Sequence, residues 1–258
     1  MIKFFRRIRQ DLLSSNKTSQ YFKYAFGEIV LVVLGILIAL SINNWNENRI
    51  NNRKQEDYLI GLKNDLSVQT KLFDLTNQMI DQVIFEGEEL LKAYNLKGDF
   101  TSIDDLNKKL TSLMYTQSFP EISTTFKELN STGQFNLVKN KELRSEIIDY
   151  YQKSEFQQNG MQGNRDKVIY PQVFPIIKSM VIIDPVNFGS ESIGVDLMDK
   201  LESTFMAHFN DTEKQFELLN AISLRIIIAK SDKTIITDVK SNAEELLQII
   251  NEELEAND

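Results

Sequence analysis

The chain has 258 residues with 29 Lys and Arg against 37 Asp and Glu, a single His, four Pro and no Cys. The absence of Cys excludes disulfides, thiolate nucleophiles and Cys-based metal or iron–sulfur sites. The net charge of −8 argues against nucleic acid as a partner, because binding a phosphate backbone draws on clustered Lys and Arg.

The charge is unevenly spread. Lys3, Arg6, Arg7, Arg9, Lys17 and Lys23 stand against Asp11 alone in residues 1–23, leaving 23 basic and 36 acidic residues for the rest. Residues 1–23 read as a basic cytoplasmic or interfacial segment, with Phe4, Phe5, Ile8 and Leu12 on one face of a possible surface helix. Such a head matches anionic lipid.

Ile29 to Leu40, IVLVVLGILIAL, carries no polar side chain. Tyr24 to Gly27 extend it on one side and Ser41 and Ile42 on the other, giving 19 residues whose one charge is Glu28. Its ten Leu, Ile and Val contribute roughly −3 to −6 kcal/mol to insertion, more than an off-centre Glu costs. Tyr21, Phe22, Tyr24 and Trp45 fall at interfacial positions, since Tyr24 to Trp45 spans about 31 Å as a helix. Ala39 and Ser41 could serve a signal-peptide cleavage site, but the basic stretch before them is too long for one. Residues 24–43 therefore read as an uncleaved transmembrane helix in the inner membrane. The excess of basic residues ahead of it places the N-terminus in the cytoplasm and the C-terminal domain in the periplasm. Gly35 and Ala39 form a small-xxx-small pair, with Gly27 two such steps back, a spacing that allows close helix pairing and so a homo-oligomer as one candidate partner.

Residues 44–258 read as an acidic helical domain. Apolar residues recur in helical register at Leu59, Leu62, Leu66, Phe73, Ile80, Val83, Leu90 and Tyr94 with no Pro, predicting a long helix continuous with the span and ended by Gly98 and Asp99. Gln69, Thr76 and Gly87 fall on its seam and argue against a regular coiled coil. Ser102 and Asp105 have the spacing of a capping box for a short helix to about Tyr115, closed by a turn at Ser118–Pro120. Ile122–Leu129 and Asn140–Phe156 give two more helices around Gly133. YPQVFPIIKSMVII is a kinked helix or extended chain, with the helix preferred. Asp184–Gly194 reads as a loop. Asp211 caps a final long helix carrying Phe216, Leu219, Ile222, Ile226, Ala229, Ile236, Val239, Ala243, Leu247, Ile250 and Leu254; within it, RIIIA and TIITDV are β-branched enough to suit strands. The expected fold is all-α: a transmembrane helix followed by an elongated antiparallel helical bundle with two long helices.

Three segments, MIKFFRRIRQDLLSSNK, YAFGEIVLVVLGILIALSINNWNE and TFKELNSTGQFNLVKNKELRSEIIDYY, resemble an uncharacterised family of single-span membrane proteins of Bacteroidota, a domain of unknown function (DUF6090-like). The third places Phe126, Leu129, Gly133, Asn140, Leu143, Arg144, Tyr150 and Tyr151 on family-like positions. The resemblance implies topology and fold and brings no catalytic residues.

No catalytic, cofactor or metal site is expected. His208 is the one available imidazole and has no evident nucleophile. Glu88, Glu89, Glu244, Glu245, Glu252 and Glu253 read as solvated helix faces. The most promising surface is STTFKELNSTG, Ser123 to Gly133, whose short polar side chains serve either helix capping or recognition. With it go Phe126, Gly133, Arg144, Tyr150 and Tyr151 as candidate partner residues, one Tyr ring facing in and one out. The favoured function is a membrane-anchored binding, sensing or scaffolding module with a membrane or periplasmic protein partner. An anchored enzyme using carboxylates, or a component of an oligomeric channel, are the alternatives.

Overall fold

The computed structural model describes residues 18–183 and 197–257. The expected interfacial helix of residues 1–13 and the loop of Asp184–Gly194 lie outside them. The chain divides into two compact units, Met1–Asp57 and Tyr58–Asp258. Every regular element among the described residues is helical: α1 Thr18–Lys97, α2 Leu106–Ser112, α3 Thr124–Ser131, a 3-10 turn Gln134–Leu137, α4 Lys141–Asn164, a π-type stretch Arg165–Val173, α5 Phe174–Ser179, α6 Leu197–His208 and α7 Thr212–Asn257.

In the first unit, α1 is long and apolar enough to cross a membrane. Its most apolar 18 residues have a mean hydropathy of 2.6 and none is buried. Phe26, Leu31, Ile38 and Ile42 are each at least 60% exposed. Beyond them, Arg49 lies over the Trp45 ring at 5.4 Å and donates to Asn46 Oδ1.

In the second unit, α1 runs on to Lys97, and its buried positions step by three and four residues without a break: Leu59, Leu62, Leu66, Gln69, Phe73, Thr76, Ile80, Val83, Gly87 and Leu90. The seam is regular after all. Two of the three residues that argued against it, Gln69 and Gly87, contact other elements. Gln69 is 1% exposed and spends both ends of its amide on partners. At Gly87 an added Cβ would come within 2.7 Å of Ile226 Cγ1, so the glycine admits a close helix crossing.

Helix α7 packs antiparallel to α1. Asp74, Asp81 and Glu88, spaced by seven residues, pair with Lys240, Lys233 and Lys230, so the partner number falls as the first rises. Tyr94 donates to Gln215 at the far end. Exposed pairs of this kind contribute little energy each but fix register. The buried residues of α7 are Leu218, Ala221, Ile222, Arg225, Ile226, Ile228, Ala229, Asp232, Ile236, Val239, Ala243, Leu246 and Ile250. They correct the sequence reading: Phe216 is 65% exposed, and Leu219, Leu247 and Leu254 lie only partly buried at the edges. RIIIA and TIITDV are helical, because their heptad positions face a helix and tertiary packing overrides β-propensity. Asp211 caps α7 as expected, accepting from the Glu213 N–H.

The short elements close the bundle. Helix α1 ends at Gly98, whose φ of +80° suits glycine. The expected capping box is replaced: Asp105 is left-handed with φ +55° and makes no side-chain cap, while Asp99 Oδ1 accepts from the Ser102 N–H and the Thr101 hydroxyl. Asn107 of α2 both donates to and accepts from the Ile182 backbone, pinning the end of the α5 segment. The two-proline stretch is helical as far as Ser179 and leaves the helix over 180–183, with Pro171 inside the wider π-type turns. Arg225, 3% exposed, donates to the Leu113 and Tyr115 carbonyls where the chain leaves α2.

Candidate functional site

The polar features of the second unit converge where α3 and α4 meet α1. The segment from Gln117 to Ser123 has no regular secondary structure and is held by Gln69 Nε2 donating to the Pro120 carbonyl at 3.0 Å. Helix α3 starts at Thr124. Its N-terminus is capped from another helix, Asp65 Oδ2 of α1 accepting the Thr125 N–H at 2.8 Å. The Ser123 hydroxyl caps nothing and donates instead to Glu121 Oε1. The capping role expected of this serine is thus taken by Asp65. At the other end Gly133 has φ +65° and its N–H bonds the Asn130 carbonyl, closing the helix as read from sequence. Helix α4 begins at Asn140, whose side chain accepts from the Leu143 N–H.

Tyr150 and Tyr151 are both buried, at 4% and 6% exposure, so neither ring is presented outward. Neighbouring helix residues lie about 100° apart, and α4 is covered on both of those faces. Tyr150 donates to Gln69 Oε1 of α1 at 2.7 Å. Tyr151 stacks on Phe126 of α3 at 4.2 Å, and Phe126 meets Phe135 edge-on. The two tyrosines are therefore packing contacts between helices, and the ring expected to face outward is not found; Phe126 packs on Tyr151 and remains partly exposed. Arg144 is half-buried one turn into α4.

Beside this aromatic stack opens a cleft of about 370 Å³, lined by Gln69, Glu121, Ile122, Ser123, Phe126, Lys127, Asn130, Tyr151, Ser154, Glu155 and Gln158. Glu121 anchors its rim: it accepts from Lys127 Nζ at 2.6 Å, from Ser123 and from Gln158 Nε2. The Lys127 and Ser123 hydrogen bonds hold its carboxyl down at about 2. The Tyr151 hydroxyl is buried without a hydrogen-bond partner, and burial pushes it well above the ordinary phenol range, helped by Tyr150 and Asp65. A second depression of about 190 Å³ adjoins at Gln158, lined by Gln117, Ser118, Phe119, Met161, Gln162 and Arg165. Arg165 donates to Ser118 Oγ and to Asp166.

Sequence reasoning singled out Ser123–Gly133, which supplies four of these lining residues, and missed Gln69, Glu121 and the α4 face. A polar residue on an otherwise apolar seam was the available signal for Gln69. Five of the six carboxylates weighed for catalysis are engaged: Glu88 with Lys230, Glu89 with Lys92, Glu244 with Lys240, Glu252 with Gln248 and Glu253 with Asn140. His208 is bonded through Nδ1 to the Thr204 carbonyl of its own helix turn. Among the described residues no group of three His, Cys, Asp or Glu is placed to hold a metal ion. In the first unit, a Cβ built at Gly27 or Gly35 meets nothing within 4 Å, and Ala39 is exposed.

An all-helical bundle with an apolar N-terminal helix and a polar cleft defines the class of protein, and comparison gives the family. Residues 28–167, more than half of the chain, match the family of unknown function DUF6090. The chain belongs to that family. The matched stretch covers both the apolar helix and the cleft residues. No curated protein and no solved structure matches.

Proposed function

We propose that this protein is a membrane-anchored binding module: α1 crosses the inner membrane once, the basic N-terminus stays in the cytoplasm, and Tyr58–Asp258 acts in the periplasm by binding a ligand or partner. The observation that carries this reading is the unburied apolar run of α1, where Ile29 to Leu40 leaves ten Leu, Ile and Val side chains facing outward. An apolar surface of that extent calls for lipid or another helix to cover it. The six basic residues ahead of the run support the orientation. Binding is preferred to catalysis because the one imidazole and the paired carboxylates already have structural partners, whereas the α3–α4 cleft offers polar groups on a rigid helical frame.

Membranes washed at alkaline pH should retain the full-length protein, and removal of residues 24–43 should release it. Affinity capture of the tagged protein from its own membranes should then bring down a second component. Release of the intact chain by the wash would overturn the anchor. Recovery of a bare monomer would overturn a protein partner.

A further inference from the structure

Helices α4 and α7 lie side by side and antiparallel: Asn140 donates to Glu253 near one end and Asn164 to Asp232 near the other. Between them opens a depression of about 280 Å³, bordered by Tyr150, Lys153, Phe156, Gln157, Asp238 and Asn242. Buried Val239 also lines it, and the Tyr150 hydroxyl is already given to Gln69.

This face carries a knob beside its hole. Phe156 on the rim is 76% exposed, and no large apolar side chain among the described residues is more so. Lys153 on α4 and Asp238 on α7 stand on the same rim, both exposed, and neither has an ion pair or hydrogen bond. Gly160 and Gly163 follow Phe156 by four and seven residues, on its side of α4. Packing within the chain asks for neither glycine: an added Cβ at Gly163 meets nothing within 4 Å, and at Gly160 only Ile235 Cδ1 at 3.8 Å. Each costs about 1 kcal/mol against alanine in a helix, so the room they leave serves something approaching from outside.

The charges narrow the occupant. A ligand of one sign would be attracted by Lys153 or Asp238 and repelled by the other, and a small apolar ligand would fill the depression while leaving Phe156 in water. The same face turned through half a turn answers all three features. About a two-fold axis parallel to the helices, α4 of each copy lies against the partner's α7 at the same level. We propose that the α4–α7 face joins two copies of the chain, Phe156 of each filling the other's depression and Lys153 of each meeting the partner's Asp238. Such an axis leaves Tyr58 of both copies at one end of the pair, as two chains anchored in one membrane require. The pairing goes beyond the binding-module reading and rests on it only for this shared direction.

The size of the face sets the strength. From Gln152 to Gly163 α4 rises about 17 Å, and two packed helices are about 20 Å wide, giving roughly 350 Å² per copy. Stable complexes bury about 1,200 Å² or more in total, so this contact is weak and draws on the high local concentration of chains held in one bilayer.

The test is therefore made in membranes. The chain has no Cys, so introduced ones report without background. Two differently tagged full-length copies, one with Gln152→Cys and one with Asn242→Cys, both exposed beside the depression, are produced together and the membranes mildly oxidised. A disulfide joining the two tags is expected. Phe156→Glu in both copies should reduce it by about tenfold or more, through loss of one buried ring per copy, while circular dichroism and the denaturation midpoint stay unchanged. Lys153→Glu alone and Asp238→Lys alone should each reduce it by about threefold, and the two combined in each chain should restore it. A mixed disulfide no more abundant than that between Asn242→Cys and Phe85→Cys, exposed on α1, overturns the proposal, as does one indifferent to Phe156→Glu. Capture of either cysteine by a different polypeptide in place of the second copy overturns it too, but leaves the module reading intact. Failure of that reading would appear separately, as release of the protein from alkaline-washed membranes.

Discussion

The Tyr150 hydroxyl donates to Gln69 Oε1 at 2.7 Å while Gln69 Nε2 donates to the Pro120 carbonyl, so one buried amide ties α4 and the irregular segment at Pro120 to the seam of α1. All the groups involved lie inside the second unit. Replacing Gln69 by Leu keeps the volume but strands a phenol and a carbonyl in a low-dielectric setting. Each such loss costs about 1–3 kcal/mol. Gln69→Leu should therefore destabilise the domain by about 2–4 kcal/mol, read as a lowered midpoint in denaturant, even though it makes the heptad seam more apolar.

Gly87→Ala sets helix propensity against packing. Alanine gains about 1 kcal/mol in a helix interior, yet its Cβ would sit 2.7 Å from Ile226 Cγ1 and 3.0 Å from Cδ1. Overpacking of that kind costs about 1–3 kcal/mol, so the substitution should be destabilising on balance. Ile226→Ala in the same chain should recover part of the loss, giving a non-additive double-mutant cycle.

These two positions show what was legible in the sequence and what was not. The three-and-four spacing from Leu59 to Leu90 announced a helix, and Gly98 and Asp211 marked where long helices stop and start, because periodicity and capping are local physics. Gln69 and Gly87 looked like flaws in a seam because their reason lies 51 and 139 residues further along the chain, at Pro120 and Ile226. Tyr150 and Tyr151 misled for a similar cause. A two-sided amphipathic reading allows one ring inside, whereas α4 is packed against α1 through Tyr150 and against α3 through Tyr151. Arg225 and Asp232 on the buried face of α7 were passed over because charged residues are rarely core; here the arginine satisfies two carbonyls left by α2.

That arginine makes a further prediction. Arg225→Met removes both donors to the Leu113 and Tyr115 carbonyls and takes the positive charge away from buried Asp232, whose carboxyl burial already pushes upward. Leaving a buried carbonyl unsatisfied costs about 1–3 kcal/mol, so the substitution should lower the denaturation midpoint clearly. Adding Asp232→Asn, which keeps a polar group beside Asn164, should restore a measurable part of the denaturation midpoint.

Glu121 supplies the pH dependence of the cleft. Lys127, Ser123 and Gln158 lower its carboxyl from 4.5 to about 2. A carboxyl depressed on folding contributes stability that is fully present above the unfolded value and lost as pH falls through the folded one. The contribution should thus hold at neutral pH and disappear between about pH 4.5 and 2. Carbon-13 NMR of the Glu121 carboxyl should follow this titration, and Lys127→Met should move it upward toward the ordinary carboxylate range.

The orientation of the chain across the membrane is the claim on which a periplasmic binding role rests. Alkaline phosphatase, active only outside the cytoplasm, fused after Glu47 tests it most directly, since that residue follows the apolar run of α1. The account predicts an active phosphatase there and a silent cytoplasmic reporter at the same junction. An inactive phosphatase with an active cytoplasmic reporter would contradict it.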